Sequence, residues 1–460
     1  MYGRREQAEA HSFLVGRILA AVLRTDPDAP VRPLRRTTTG LAAGLAVAVL
    51  AGGIVLAVSF LTGKGGDAWR DEPGTLVVDE DSGNRYLLVE GRLRPVLNYA
   101  SARLLAEGNP PIATVNAEDL ADFPKGAPIG IAGAPDALPS PDAGAQPWTV
   151  CAGVGEGEST VAASVGTPVG VTPLAEDEAA LVRTGKQLYL AWNGGKLRVT
   201  EDWVPRALGM DPARAVAVDS AWLNTLPSGP DIGSPPVEHG GPGPEIAGAP
   251  TELGQLVTAP DAVGDTTFVV ARGGLMPVSP FVATLIGADP GLSLPPTITL
   301  TPAELATQQV TPAPVWQAEL PGKPPSALDS ETRMPCVRWE NDRAILATTG
   351  NLDGSTASSD PEGVTRDGRV ADLVDVTPGA GMIARTRPAP GVPGAGVYLI
   401  TEAGAKFPVA DAEAAEALGF SVEGAALVPA ELLALLPTGP VLDIPEPSGK
   451  RVVQPNQGGK

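Results

Sequence analysis

The sequence predicts an α+β protein: a single N-terminal transmembrane helix followed by four small α+β repeat domains arranged around a central disulfide-linked β-rich domain. Three observations carry this expectation. Residues 41–61 are an uncharged run, LAAGLAVAVLAGGIVLAVSFL; the region beyond it repeats a turn-rich pattern; and the only two cysteines, Cys151 and Cys336, each lie beside a tryptophan in segments that do not fit the repeat.

The composition suits several small cores. The chain has 460 residues, 43% of them hydrophobic and 4% aromatic, with 55 Gly and 49 Pro. Such a length allows more than one ordinary domain, and the abundance of turn formers favours small, turn-rich ones. The formal net charge is −20, yet residues 1–40 hold seven Arg against four acids, leaving about −23 for the remainder. A body that acidic repels phosphate backbones, which excludes nucleic acid as its partner.

The elements follow in order. Residues 4–24 place Phe13, Leu14, Ile18, Leu19, Val22 and Leu23 at helical spacing among Arg4, Arg5, Arg17 and Arg24. This is an amphipathic basic helix, suited to an anionic inner leaflet, to a cytoplasmic partner, or simply to fixing topology. The run from Leu41 to Leu61 contains no charge, and at ~1.5 Å per residue it reaches the ~30 Å of a bilayer core. Arg32, Arg35 and Arg36 precede it, whereas mixed charges follow, so the positive-inside rule puts the N-terminus in the cytoplasm of a single-pass membrane protein. The run is too long for a cleaved signal peptide. Gly44, Gly52 and Gly53 give it a small-residue face open to close helix packing.

Beyond the membrane, LVVDEDSGNRYLLVEGRLRPVLNYASARLL reads as three short strands and a helix, and the copy closes on DLADFPKGAP. Further copies open at LVRTGKQLYLAWNGGKLRVTEDWVPRALG and GVYLITEAGAKFPVADAEAAEALG and close on WLNTLPSGP and ELLALLPTGP. From Tyr86 to Pro124 and from Tyr189 to Pro227 is 38 positions, and from Tyr398 to Pro437 is 39. A fourth, degenerate copy, FVVARGGLMPVSPFVATLIGADPG, lacks the final LP-x-GP. The expected organisation is a cytoplasmic tail (1–40), the membrane helix (41–61), repeats at 73–139, 181–230, 251–309 and 396–446, a central domain from 146–180 and 310–390, and a C-terminal tail (447–460). Pro/Gly-rich connectors fall at 133–147, 227–250 and 388–396. An exported chain meets an oxidising compartment, so Cys151 and Cys336 are expected to pair and join the two halves of the central domain.

Catalytic signals are sparse. His11 lies in the basic helix and His239 in a loop, which leaves no histidine triad or histidine-metal arrangement outside the membrane. No Gly-Lys pair is followed by Ser or Thr, so there is no phosphate-cradling loop. Glu176, Asp177 and Glu178 read as the first turn of a capped helix. No catalytic residue, metal ligand or cofactor is expected.

The stretch RREQAEAHSFLVGRILAAVLRTDPDAPVRPLRRTTTG, the apolar run, PGTLVVDEDSGNRYLLVEGRLRPVLNYASARLL and GIAGAPDALP together resemble the EccB family, membrane-core components of actinobacterial type VII (ESX) secretion systems. The resemblance covers essentially the whole chain, cysteines and repeats included. It implies a structural subunit that works with an EccC-type ATPase, EccD, EccE where present and a mycosin protease to export WXG100-type substrates, with repeats likened to modules that contact peptidoglycan. Gly16 stands before Arg17 where the family often pairs arginines, and the third repeat is degenerate. Some members are described as ATPases; a second reading is therefore an extracytoplasmic ATPase, and a third a free-standing membrane-anchored wall-binding protein.

Overall fold

A computed structural model describes residues 3–24, 35–61, 68–72, 74–155, 158–166, 170–260, 264–350, 363–387 and 396–444. The chain forms two compact units, Met1–Pro73 with Val77–Asn84 and Ile112–Asp122, and Gly74–Leu76 with Arg85–Pro111 and Phe123–Lys460.

The first unit holds two long helices, α1 (Arg4–Arg24) and α2 (Arg35–Leu61). The α1 residues Phe13, Leu14, Ile18, Leu19 and Val22 are exposed, as an amphipathic face without a core would be. The expected span 41–61 is helical throughout within α2. Among the described residues, however, no helix is long and apolar enough to cross a membrane. The side chains of α2 are described only from 40 to 53, short of the ~20 residues that a span requires. Leu41 is exposed, as are Leu45, Val47, Val49 and Leu50. Arg32 lies outside the described residues, and so do the side chains of Arg35, Arg36 and Leu61. In the expected turn, Asp79 accepts from the Ser82 hydroxyl at 2.6 Å and from the Asp81 N–H at 3.1 Å, and Gly83 takes the positive φ that such a turn needs.

The second unit is mixed α+β. Its central sheet has six strands in the order Leu373–Val376, Glu158–Val165, Trp148–Gly155, Met334–Glu340, Arg343–Thr349, Thr172–Pro173. Three further sheets share one topology. Glu178–Thr184, Gln187–Trp192 and Gly195–Arg198 form an antiparallel meander with Val216–Ala217 parallel to its first strand. Leu256–Pro260, Asp265–Ala271, Gly274–Val278 and Ile298–Thr299 repeat this arrangement, as do Met382–Thr386, Val397–Ile400, Lys406–Val409 and Ala426–Val428. The degenerate copy therefore has the same sheet as its neighbours. In the first copy, Arg85–Val89 pairs antiparallel with Arg92–Pro95 and leads into the helix Tyr99–Leu105. Asn98, Ser279 and Asp411 cap the helices of three copies, each side chain accepting a backbone N–H of the first turn.

Each copy ends by laying its closing segment beside its third strand. The carbonyls of Pro124, Pro227, Gln309 and Pro437 accept the N–H groups of Leu93, Lys196, Leu275 and Lys406, and the N–H groups of Gly126, Gly229, Thr311 and Gly439 donate back to the same four residues, all at 2.8–3.0 Å. The glycine of LP-x-GP is a close-approach residue: a Cβ at Gly439 would lie 2.3 Å from the Phe407 ring and one at Gly229 2.5 Å from the Leu197 side chain.

Copies share cores in pairs, because small sheets bury little apolar area alone. Ala100, Leu104 and Ile131 pack with Leu399, Phe407, Ala414 and Leu418, and Arg103 Nε donates to the Ala417 carbonyl at 3.1 Å. Leu190, Leu197, Val204 and Leu208 pack with Val278, Phe281, Val282 and Leu285. The central core combines Trp148, Val150 and Val337 with Trp222, Leu223 and Leu226 from one closing segment and Leu432, Leu433 and Leu436 from another.

Two sequence expectations change. Glu176–Glu178 does not open a helix; Glu178 begins the strand Glu178–Thr184, whose Ala179–Val182 are all buried, so the run AALV obeys the demand of a strand covered on both faces. Met382–Thr386 is not central but the first strand of the last sheet. The TPGAG turn, with Gly379 at positive φ, separates it from the central strand Leu373–Val376.

Gly439→Ala should drive a methyl into the buried Phe407 ring and destabilise the protein by ~1–3 kcal/mol. Gly144→Ala, with nothing within 4 Å, should change stability by less than ~0.5 kcal/mol. Urea unfolding followed by tryptophan fluorescence separates the two.

Candidate functional site: the disulfide-linked core and its cationic cleft

Cys336 is the antiparallel register partner of Cys151, and Trp339 that of Trp148. The cysteines are disulfide-bonded with Cα atoms 4.0 Å apart, a separation that matches the close, non-hydrogen-bonded pairs of an antiparallel ladder. Both sulfurs are buried with Ala347. The predicted pair is thus brought together by adjacent central strands, and there are no other cysteines.

Tryptophans tie this sheet to its surroundings. Trp222, fully buried, donates its indole N–H to the Val150 carbonyl at 3.1 Å, and Trp339 donates to the Thr225 carbonyl at 2.9 Å. The first bond fixes the helix Ser220–Asn224, and the second the closing segment after it, against the central sheet. Buried indoles need such partners.

Between this segment and the corresponding helix Ala430–Leu433 lies a cleft of ≈ 570 Å³, lined among others by Lys196, Trp339, Arg369, Arg387 and Glu431. Lys196 is half-buried and donates to the Leu223 carbonyl at 3.0 Å and to Asn224 Oδ1 at 3.2 Å. Burial lowers its pKa, against an opposing pull from Glu431. At the equivalent third-strand position, Lys406 is 8% exposed and donates to the Leu436 carbonyl at 2.5 Å. Burial pushes Lys406 down to about 8, Asp367 opposing and Arg369 assisting. Arg333 donates to Glu178 at 2.6 Å and holds that carboxyl below its usual range despite partial burial.

No group of His, Cys, Asp and Glu able to hold a metal is found among the described residues. His239 lies in its loop with Nδ1 3.2 Å from the Val237 carbonyl, and His11 is on the exposed side of α1. The cleft was not foreseen from the sequence.

The repeated sheets, the cross-strand disulfide and the shared cores are specific enough to compare with known proteins. Residues 2–450 match the family described as Type VII secretion system ESX-1, transport TM domain B. The chain belongs to this family, EccB. It is 29% identical to the ESX-5 secretion system ATPase EccB5 of Mycobacterium tuberculosis, over 95% of this chain and 91% of that protein. Identity to the ESX-3 secretion system ATPase EccB3 of the same organism is 26%, over 95% and 88%. Among solved structures, a chain of an intact ESX-5 inner membrane complex matches with TM-score 0.66 and 27% identity, over 96% of this chain and 94% of that one. A chain of the periplasmic assembly from the ESX-5 inner membrane complex matches with TM-score 0.67 and 27% identity, over 83% and 96%.

Replacing both cysteines by Ser should destabilise this EccB chain by ~2–5 kcal/mol; thermal unfolding that is unchanged from the wild type would contradict a structural role for the bridge. Lys406 yields a pH dependence with a definite sign. Its folded pKa, about 8, lies below the ordinary lysine value of 10.5, so between those pH values the unfolded chain binds more protons and stability rises with pH. Below about pH 8 both states carry the proton and this contribution is flat. In Lys406→Met the rise contributed by this group should vanish, read as the difference in urea midpoints between pH 7.5 and 10 for variant and wild type.

Proposed function

We propose that this chain is a structural subunit of a type VII secretion inner-membrane complex. In this reading α2 spans the membrane with the N-terminus in the cytoplasm, and four repeat units grouped around the disulfide-linked central sheet form an extracytoplasmic scaffold. The observation that carries it is the family match over residues 2–450, seconded by likeness to chains of the ESX-5 inner membrane complex. The uncharged run 41–61 behind an arginine-rich approach supports the topology. A buried disulfide linking positions 185 residues apart supports an oxidising compartment for the bulk of the chain. Its partners are an EccC-type ATPase, EccD, EccE where present and a mycosin protease, and its wall-facing repeats are candidates for peptidoglycan contact.

The relatives are named ATPases, which favours a second reading as an extracytoplasmic ATPase. The sequence has no phosphate-cradling Gly-Lys-Ser/Thr motif, so we assign the scaffold role first. Tagged chain extracted from native membranes in mild detergent should carry EccC, EccD and the mycosin with it, and its deletion should stop WXG100 export. Recovery as a lone monomer with export intact would overturn the scaffold reading. ATP turnover by the purified chain, lost when it is heat-inactivated, would establish the second.

A further inference from the structure

We propose that the cleft between the two closing helices is a docking site for an acidic peptide segment of a partner protein. Its volume, ≈ 570 Å³, is within the ~300–1,000 Å³ typical of ligand-sized clefts. Lys196, Arg369 and Arg387 line it against one carboxylate, Glu431, in a chain of formal net charge −20. In so acidic a sequence three cations on one cleft wall, with a single carboxylate among the lining residues, offer charge complementarity to an anionic partner.

These cations are unequally neutralised. Arg387 is bonded to Asp342. Lys196 gives its hydrogen bonds to neutral acceptors, the Leu223 carbonyl and the Asn224 amide oxygen. Among the described residues Arg369 pairs with Asp367, at 4.0 Å, and its side chain is 72% exposed. A pair that long and that exposed holds a guanidinium weakly. Arg369, and Lys196 with Glu431 as its carboxylate neighbour in the cleft, are therefore the cations an incoming carboxylate would meet.

The remaining wall selects the kind of anion. Trp339, Pro227, Pro429, Ala430 and Ala434 contribute apolar surface. A free phosphate has no use for that surface, whereas a peptide with Glu or Asp beside apolar side chains satisfies both parts: carboxylates toward Lys196 and Arg369, apolar groups against the indole. A nucleic acid, whose phosphates continue past the cleft onto the surface of a chain of net charge −20, is disfavoured.

The test uses the full-length chain in mild detergent and a fluorescein-labelled octapeptide alternating Glu with Leu, read by fluorescence anisotropy. Saturable binding is expected, weakened roughly tenfold by Arg369→Glu, as charge reversal at a cationic cleft should do. Arg272→Glu, which reverses an exposed cation of another sheet, should leave binding within about twofold, with far-UV circular dichroism confirming the fold of both variants. Absence of saturable binding, equal weakening by Arg272→Glu, no effect of Arg369→Glu, or equally tight binding of the Gln-for-Glu peptide would each overturn the proposal. Displacement of the peptide by inorganic phosphate, with a Glu-Gly peptide binding as well as the Glu-Leu one, would assign the cleft to a small anion instead.

Discussion

The second unit depends on the two backbone hydrogen bonds by which each closing segment returns to its own third strand. Leu93, Lys196, Leu275 and Lys406 each donate to one closing residue and accept from the residue two positions on. This pairing ends the small sheets on their meander side, where open N–H and C=O groups would otherwise invite other chains. It also fixes the residues just before it. In the second and fourth copies these include Leu223 and Leu226, and Leu432, Leu433, Leu435 and Leu436, whose side chains enter the central core. One local pairing thus sets both the edge of a copy and its attachment.

The attachment explains how such small sheets hold together. The first and fourth copies share one apolar core and the second and third share another, while the second and fourth also reach the central sheet. Each sheet therefore buries its faces against something, although none has residues enough to do so by itself. A substitution in Phe281 or Phe407, both buried, acts on two copies at once, because each ring lies in a core shared between copies.

The sequence made the meander, the helices after it and the closing segments legible because strand alternation and Gly/Pro turns are local signals. The third copy was legible too, although its closing motif is lost, and for a specific reason. The closing pair uses backbone groups, which Gln309 and Thr311 supply as well as Pro and Gly do, so the sheet survives the loss of the motif. Met382–Thr386 was misassigned because a connector divides it from its partner Val397–Ile400, and pattern reading binds a strand to its nearest neighbour in sequence. The cleft was invisible on other grounds: Lys196, Arg369 and Arg387 meet only through tertiary packing, and no local pattern encodes that meeting.

The cysteines were legible because their surroundings are mirror-ordered, WTVC at 148–151 and CVRW at 336–339. An antiparallel pair that sets Cys opposite Cys must then set Trp opposite Trp, and the register does both. A slip of one residue would turn Trp148, Val150 and Val337 away from the core they share. The bridge closes a loop of 185 residues that contains the second and third copies, and by tying Cys151 to its register partner Cys336 it holds the central strands against such a slip.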